Sequence, residues 1–233
     1  MTTIDDVTDV TEVDEEDQPP PDMRRWYAVV AIMAIAVVTL GVAVVLLANR
    51  KTDDQTIPVP NSVDVGFAQD MMTHHLQAVQ MAGIVRDRTD DPEIKQIAFD
   101  IETNQQNQVG QMTGWLGIWG LSVNNPDKPM GWMGSMAAEH PLQGDGLMPG
   151  MATTDQVNQL KTLPPAQMDV LFLQLMIRHH QGGLPMLDYA AQHGSLQTVR
   201  TFARRDAAAQ TLEITNMTKM LTARGAQPLA PPS

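Results

Sequence analysis

Phe67–His75 reads FAQDMMTHH, and Phe172–His180 reads FLQLMIRHH. Phe, Met and the His pair keep their places at a constant displacement of 105 residues. The register continues without a gap, setting Met81 on Met186, Gln105 on Gln210, Met112 on Met217 and Leu116 on Leu221. Self-similarity at a fixed offset marks a repeated structural unit, here of roughly 55 residues. The apolar positions around each His pair follow helical spacing. Phe67, Met71, Ala78, Met81 and Val85 form one stripe, repeated as Phe172, Met176, His179, Gly183 and Met186. A second stripe runs beside it through Met72, His75, Val79 and Ala82, repeated as Ile177, His180, Leu184 and Leu187.

Each His-bearing helix precedes another helical pattern. Asp90 or Asp91 before Pro92 reads as an N-cap with proline in the first turn, opening a helix that ends near Gly120. In the second copy Gly194 stops the helix and Ser195 reads as the cap of the next, which Gly225 closes. Pro185 lies inside the third helix beside Gly182 and Gly183, which predicts a kink just after the His pair. The fold class is therefore all-α: a four-helix bundle of two repeated αα-hairpins over residues 62–224. Repeat one covers 62–120 and repeat two 164–224. Between them, residues 121–163 form a Gly/Pro/Met-rich loop ending in a short helix from Thr154.

Upstream of the bundle, Trp26–Ala48 carries no charge over 23 residues. That is enough to cross a hydrocarbon core of about 30 Å. Arg24 and Arg25 before it are balanced by Arg50 and Lys51 after it, so the flanking charges do not set orientation. The run is long for a cleaved signal peptide and lacks a clear A-x-A site. The expectation is a retained single-pass anchor in the cell membrane with the bundle on the extracytoplasmic side. Residues 1–25 are an acidic, disordered tail, 49–61 a spacer and 225–233 a second tail.

The net charge is −12, and residues 1–25 supply −7 of it. No basic patch marks a nucleic-acid partner. The chain has no Cys, which removes disulfides and thiolate metal sites. It has 17 Met, a residue that serves both as a core filler and as a soft thioether ligand. There is no Glu-x-x-His of the di-iron bundles, no H-E-x-x-H and no phosphate loop, and no catalytic residue is expected.

In an antiparallel hairpin, residues equidistant from the turn face one another. His75 then lies opposite Gln105, and His180 opposite Gln210. One turn away, Met71 approaches Met112 and Gln108, while Met176 approaches Met217 and Glu213. Buried without partners, each polar group costs on the order of 1–3 kcal/mol, so each needs a hydrogen bond or a metal. Imidazole with thioethers suits Cu(I). The candidate ligands are His75, His180, Met71, Met112, Met176 and Met217, followed by His74 and His179. Gln105, Gln108, Gln210 and Glu213 are expected to hold those ligands by hydrogen bonds. His74 and His179 sit about 100° around the helix from their neighbours and face either the other hairpin or solvent. Met130, Met133, Met136, Met148 and Met151 fall in the loop, off any long helix face. The alternative reading is a membrane-tethered scaffold with structural His–Gln layers and the Met loop as a docking surface.

F-x-x-x-M followed by a His pair, in two copies, together with Met148–Met151, resembles the domain-of-unknown-function family 305 over roughly residues 62–224. The resemblance implies a ferritin-like four-helix bundle of two hairpins, typically exported or membrane-anchored. It also implies an association of some members with copper binding or tolerance, and no established enzymatic activity. Three positions depart from the family pattern. Gln108 stands where an acid is usual and is kept as Glu213 in the second copy; Asp70 has Leu175 as its counterpart; and Arg178 stands where Pro is frequent.

Overall fold

The computed structural model describes residues 23–48 and 63–232. The acidic tail to residue 22, the spacer 49–61 and Ser62 lie outside the described residues. The chain divides into two compact units, residues 1–56 and 57–233. In the first, α1 spans Met23–Ala48, so residues 23–25 are helical rather than part of the tail. Its 22-residue stretch Arg25–Leu46 has a mean hydropathy of 3.0, and its described side chains are exposed along the helix. Length and composition are those of a membrane span or of a signal sequence.

The second unit is all-α. Its long helices are α2 (Val63–Arg86), α3 (Pro92–Ile118), α6 (Pro165–His193) and α7 (Gln197–Ala223). Shorter helices α4 (Met136–Glu139) and α5 (Thr154–Thr162) follow a 3-10 turn at Gly131–Met133. Helix boundaries follow local chemistry. Asp91 caps α3 by accepting from the amides of Glu93 (2.9 Å) and Ile94 (3.3 Å), with Pro92 at N1. Thr153 and Gln156 form a reciprocal capping box on α5. α6 stays helical through Pro185.

The start of α7 departs from expectation. Its N-cap position is Leu196, which offers no side-chain cap. Ser195 instead donates both its amide (3.0 Å) and its hydroxyl to Asp64, and the Leu196 amide donates to the same carboxylate at 3.2 Å. A fully buried acid at the start of α2 thus satisfies the amides ahead of α7. Asp169, 105 residues later, sits at the start of α6 and accepts from Thr89 in the α2–α3 turn at 3.0 Å. Each hairpin is pinned at its turn by an acid of the other.

α2 packs on α3, α6 on α7, and α2 crosses α6. The core falls into two apolar clusters. One gathers Met81, Ile94, Ile101, Phe172, Met176 and Met217, and the other gathers Phe67, Met71, Met112, Met133, Met186 and Val199. On every long helix the two are separated by the same polar stretch: His74–His75, Gln105–Gln108, His179–Gly183 and Asp206–Glu213. A polar layer therefore crosses the middle of the bundle.

Loop 121–153 is built inward. Met130, Met133, Met148 and Met151 are buried in the second cluster. Asp70 accepts from the Asn125 side-chain amide (2.8 Å), the Met130 backbone amide (2.6 Å) and the Trp132 indole (2.8 Å), fastening the loop to α2. Leu175, its counterpart, has no such capacity, so one hairpin alone is fastened in this way. Further on, Gly150 at φ +81° lets Pro149–Gly150 lie directly on α6. A Cβ on Gly182 would overlap the Pro149 carbonyl. Gly182→Ala is expected to cost about 1–3 kcal/mol in urea unfolding by overpacking this contact. An unchanged midpoint would show that the loop does not need it.

Candidate functional site

All four motif histidines are buried, at 0–1% exposure. His74 and His179, which periodicity left between core and solvent, face each other at the α2–α6 crossing with ring centroids 3.8 Å apart. His179 Nε2–H donates to the His74 carbonyl at 3.0 Å, so residues one repeat apart touch where the two copies cross. His74 Nε2–H donates instead to the Pro149 carbonyl at 3.2 Å, because the Met148–Met151 loop occupies the matching place.

The other pair departs from the expected hairpin partners. His180 Nε2 lies 2.6 Å from Glu213 Oε2, within its own hairpin. His75 reaches across to the other hairpin, with Nε2 3.2 Å from Asp206 Oδ2. That contact lies within ion-pair distance but is not aligned as a hydrogen bond. Asp206 Oδ1 accepts from Gln108 Nε2 at 3.0 Å, and Oδ2 accepts from Gln210 Nε2 at 3.3 Å. Asp206 thus joins α2, α3 and α7, a role that the hairpin geometry did not assign. The available signal was a lone Asp on the apolar stripe of α7, with Ile101 as its counterpart. Gln108, an amide, cannot supply a carboxylate on α3, and Asp206 supplies it from α7.

Every one of these contacts uses Nε2, and each partner is a carbonyl or carboxylate oxygen that can only accept. In His74, His179 and His180 the proton of the neutral ring therefore sits on Nε2, leaving Nδ1 as a free lone pair. The Nδ1 atoms of His74, His75, His179 and His180 are all buried without a hydrogen-bond partner, as are His75 Nε2 and the Oε1 atoms of Gln105, Gln108 and Gln210. Seven acceptors in one layer share no donor. A buried acceptor left unmatched costs about 1–3 kcal/mol, so the layer calls for water or a cation. Imidazoles oriented through Nε2–H by an oxygen are arranged as metal-binding imidazoles commonly are.

Electrostatics keep the inner pair neutral. Burial, reinforced by His75, lowers the His74 pKa to about 3, against weaker opposition from the Pro149 carbonyl and Asp206. Burial also pushes His179 well below the usual imidazole value, with His74 and His180 adding to it. Burial alone would raise Asp206, but the adjacent His75 and the hydrogen bond from Gln108 hold it below the usual carboxylate range.

The candidate methionines flank this layer. Met71 and Met112 belong to one apolar cluster, Met176 and Met217 to the other, and all four are fully buried. Among the described residues no three His, Asp or Glu side chains converge on one point as a ready-made metal cage.

The sequence profile of the domain of unknown function DUF305 matches residues 64–221. The chain belongs to the DUF305 family. Its bundle is similar to a DUF305 protein from Streptomyces coelicolor that is inferred to be secreted. The two are 42% identical with a TM-score of 0.67, over 74% of this chain and 99% of the other. A DUF305 fragment from Deinococcus radiodurans is 32% identical with a TM-score of 0.58, over 71% and 99%. CopM has the same fold in its Cu(I)-bound and Cu(II)-bound forms. These are 20% and 21% identical with TM-scores of 0.50 and 0.52, each covering 69% of this chain and 96% of CopM. A stretch of 53 residues is 40% identical to protein L153 of Acanthamoeba polyphaga mimivirus, and the chain spans 35% of that relative's length. The DUF305 match takes in both His pairs, Asp206 and Glu213.

Proposed function

We propose that this protein binds Cu(I) in the polar layer of its bundle, on the extracytoplasmic side of a membrane in which α1 remains as an anchor, and that it catalyses no reaction. The observation that carries the reading is the set of four buried Nδ1 atoms without a hydrogen-bond partner, three of them on rings held through Nε2. Neutral imidazole is the state a metal ion requires, and burial keeps His74 and His179 in it. Thioethers above and below the layer add the soft donors that Cu(I) prefers, in a chain without thiolates. His74, His75, His179 and His180 supply nitrogen, and Met71, Met112, Met176 and Met217 are the sulfur atoms next in reach along the helices. Asp206, Glu213 and Gln108 hold the rings or their partners. CopM, with the same fold, is known in copper-bound forms. The secreted character inferred for the Streptomyces relative fits an extracytoplasmic bundle.

The rival scaffold reading has less support, because Met130, Met133, Met148 and Met151 point into the core and cannot form a docking surface.

An anaerobic titration of the detergent-solubilised full chain with Cu(I), against a chromophoric competitor, tests the proposal. Stoichiometric binding is expected. At a free metal level about 1,000 times Kd, the folded state gains about 4 kcal/mol. That raises the thermal midpoint by about 10 °C. His75→Gln/His180→Gln is expected to lose most of the affinity. No binding at micromolar Cu(I) would end the copper reading.

A further inference from the structure

The four lone pairs are sealed on most sides. Direct helix packing closes the α2–α3, α6–α7 and α2–α6 seams. Apolar clusters lie above and below the layer, and Pro149–Gly150 lies over the α6 glycines. A hydrated cation crossing an apolar cluster would exchange its water shell for a few buried thioethers with no oxygen donor at the entrance, a large cost. The fourth seam differs. α3 and α7 are bridged by the Gln108–Asp206 bond and by Trp115 set edge-on against Phe202, and a cleft of about 670 Å³ lies between them. Among its lining residues are Gln105, Gln108, Asp206 and Glu213, the groups of α3 and α7 that belong to the layer. Gln105 is 3% exposed, lines the cleft and carries one of the unpartnered oxygens. Glu213 is 18% exposed while bonded to His180, so it faces both the cleft and the buried ring.

We infer that the α3–α7 cleft is the port through which a cation reaches and leaves the buried histidines, with Glu213 as the residue that passes it inward. This rests on the copper reading above. Oxygen donors at the mouth accept a hydrated or weakly chelated cation, and nitrogen donors behind them take it as water is shed. A smaller hollow of about 270 Å³, on the far side of the loop beside Pro149, Gly182 and His140, is the competing route.

Blocking each route in the full chain separates the two. Ala209 is exposed on the α7 wall of the cleft and Gln111 is exposed on the α3 wall, so Ala209→Trp or Gln111→Trp fills the cleft from opposite sides without displacing a buried group. In stopped-flow exchange of Cu(I) with a chromophoric chelator, uptake and release in both plugs are expected to slow by about tenfold or more, since exchange then waits on local opening of the helices. The equilibrium affinity is expected to stay within about twofold, because no ligand has changed. His140→Trp is expected to leave the rates unchanged. Wild-type exchange rates in the folded plugs, or slowing in His140→Trp, would overturn the port while leaving the copper reading intact. Absence of Cu(I) binding in the unmodified chain would overturn that reading and the port with it.

Discussion

Acidification from pH 7.5 to pH 5 is expected to lower the thermal midpoint of the metal-free bundle by at least about 5 °C, well before its carboxylates titrate. His74 has a folded pKa of about 3 and His179 one well below 6.5, both chiefly through burial. In the unfolded chain both return to the ordinary value near 6.5. Between these limits the unfolded state binds more protons, so stability falls as pH falls. Their contribution is fully present above pH 6.5 and is lost progressively below it, down to the folded pKa. At pH 5 the neutral His74 ring forgoes a protonation worth about 2 kcal/mol, and His179 adds to it with the same sign. Asp206, whose folded pKa is depressed, acts with the same sign, but its share is lost only as pH drops below the ordinary carboxylate range. Differential scanning calorimetry across this window is the measurement. A midpoint flat from pH 7.5 to 5 would mean that the two rings are hydrated in solution.

The second large effect is expected at Asp206. It sits 3.2 Å from His75 and receives hydrogen bonds from Gln108 and Gln210 at 3% exposure. Removing the carboxylate in Asp206→Ala strands these nitrogen donors in the core. Breaking a buried charged network by deleting one partner costs about 3–5 kcal/mol. Glu213→Ala is expected to cost distinctly less, since its carboxylate is partly hydrated and its loss lets water reach His180. Urea unfolding of the two variants side by side checks the ranking. An Asp206→Ala penalty equal to or below that of Glu213→Ala would remove Asp206 from the centre of the layer.

The arrangement explains how a repeat becomes asymmetric. Both copies bring a His pair to the middle of the bundle, yet their partners differ. His180 finds Glu213 inside its hairpin, whereas Gln108 offers His75 no carboxylate and Asp206 of the other hairpin provides one. His74 takes the Pro149 carbonyl from a loop that follows the first copy alone. Two chemically identical motifs thus acquire different surroundings, and a metal bound at each would meet different neighbouring charge.

Much of this was determined by the sequence alone. The repeat at a fixed offset, the helical spacing around each His pair, and Asp91–Pro92 were enough for an all-α bundle of two hairpins and for the placing of α3. So was the choice of His75, His180 and Glu213 as polar members of apolar stripes, whereas His74 and His179 were left between core and solvent. These are properties of single helices, where periodicity decides which face is buried. Pairings between helices are of another kind. The His75–Asp206 contact, the Asp64 bonds to Ser195 and Leu196, and the seating of Pro149 on Gly182 each join segments 33 to 132 residues apart that meet only once α2 has crossed α6. Axial offset and rotation at that crossing come from packing on both sides of the layer, Phe67, Met71 and Met186 in one apolar cluster and Phe172 and Met176 in the other, and a shift of one residue along either helix would exchange partners. Periodicity carries no information about that offset, and so the layer was legible as a set of residues while its wiring was settled by the tertiary structure.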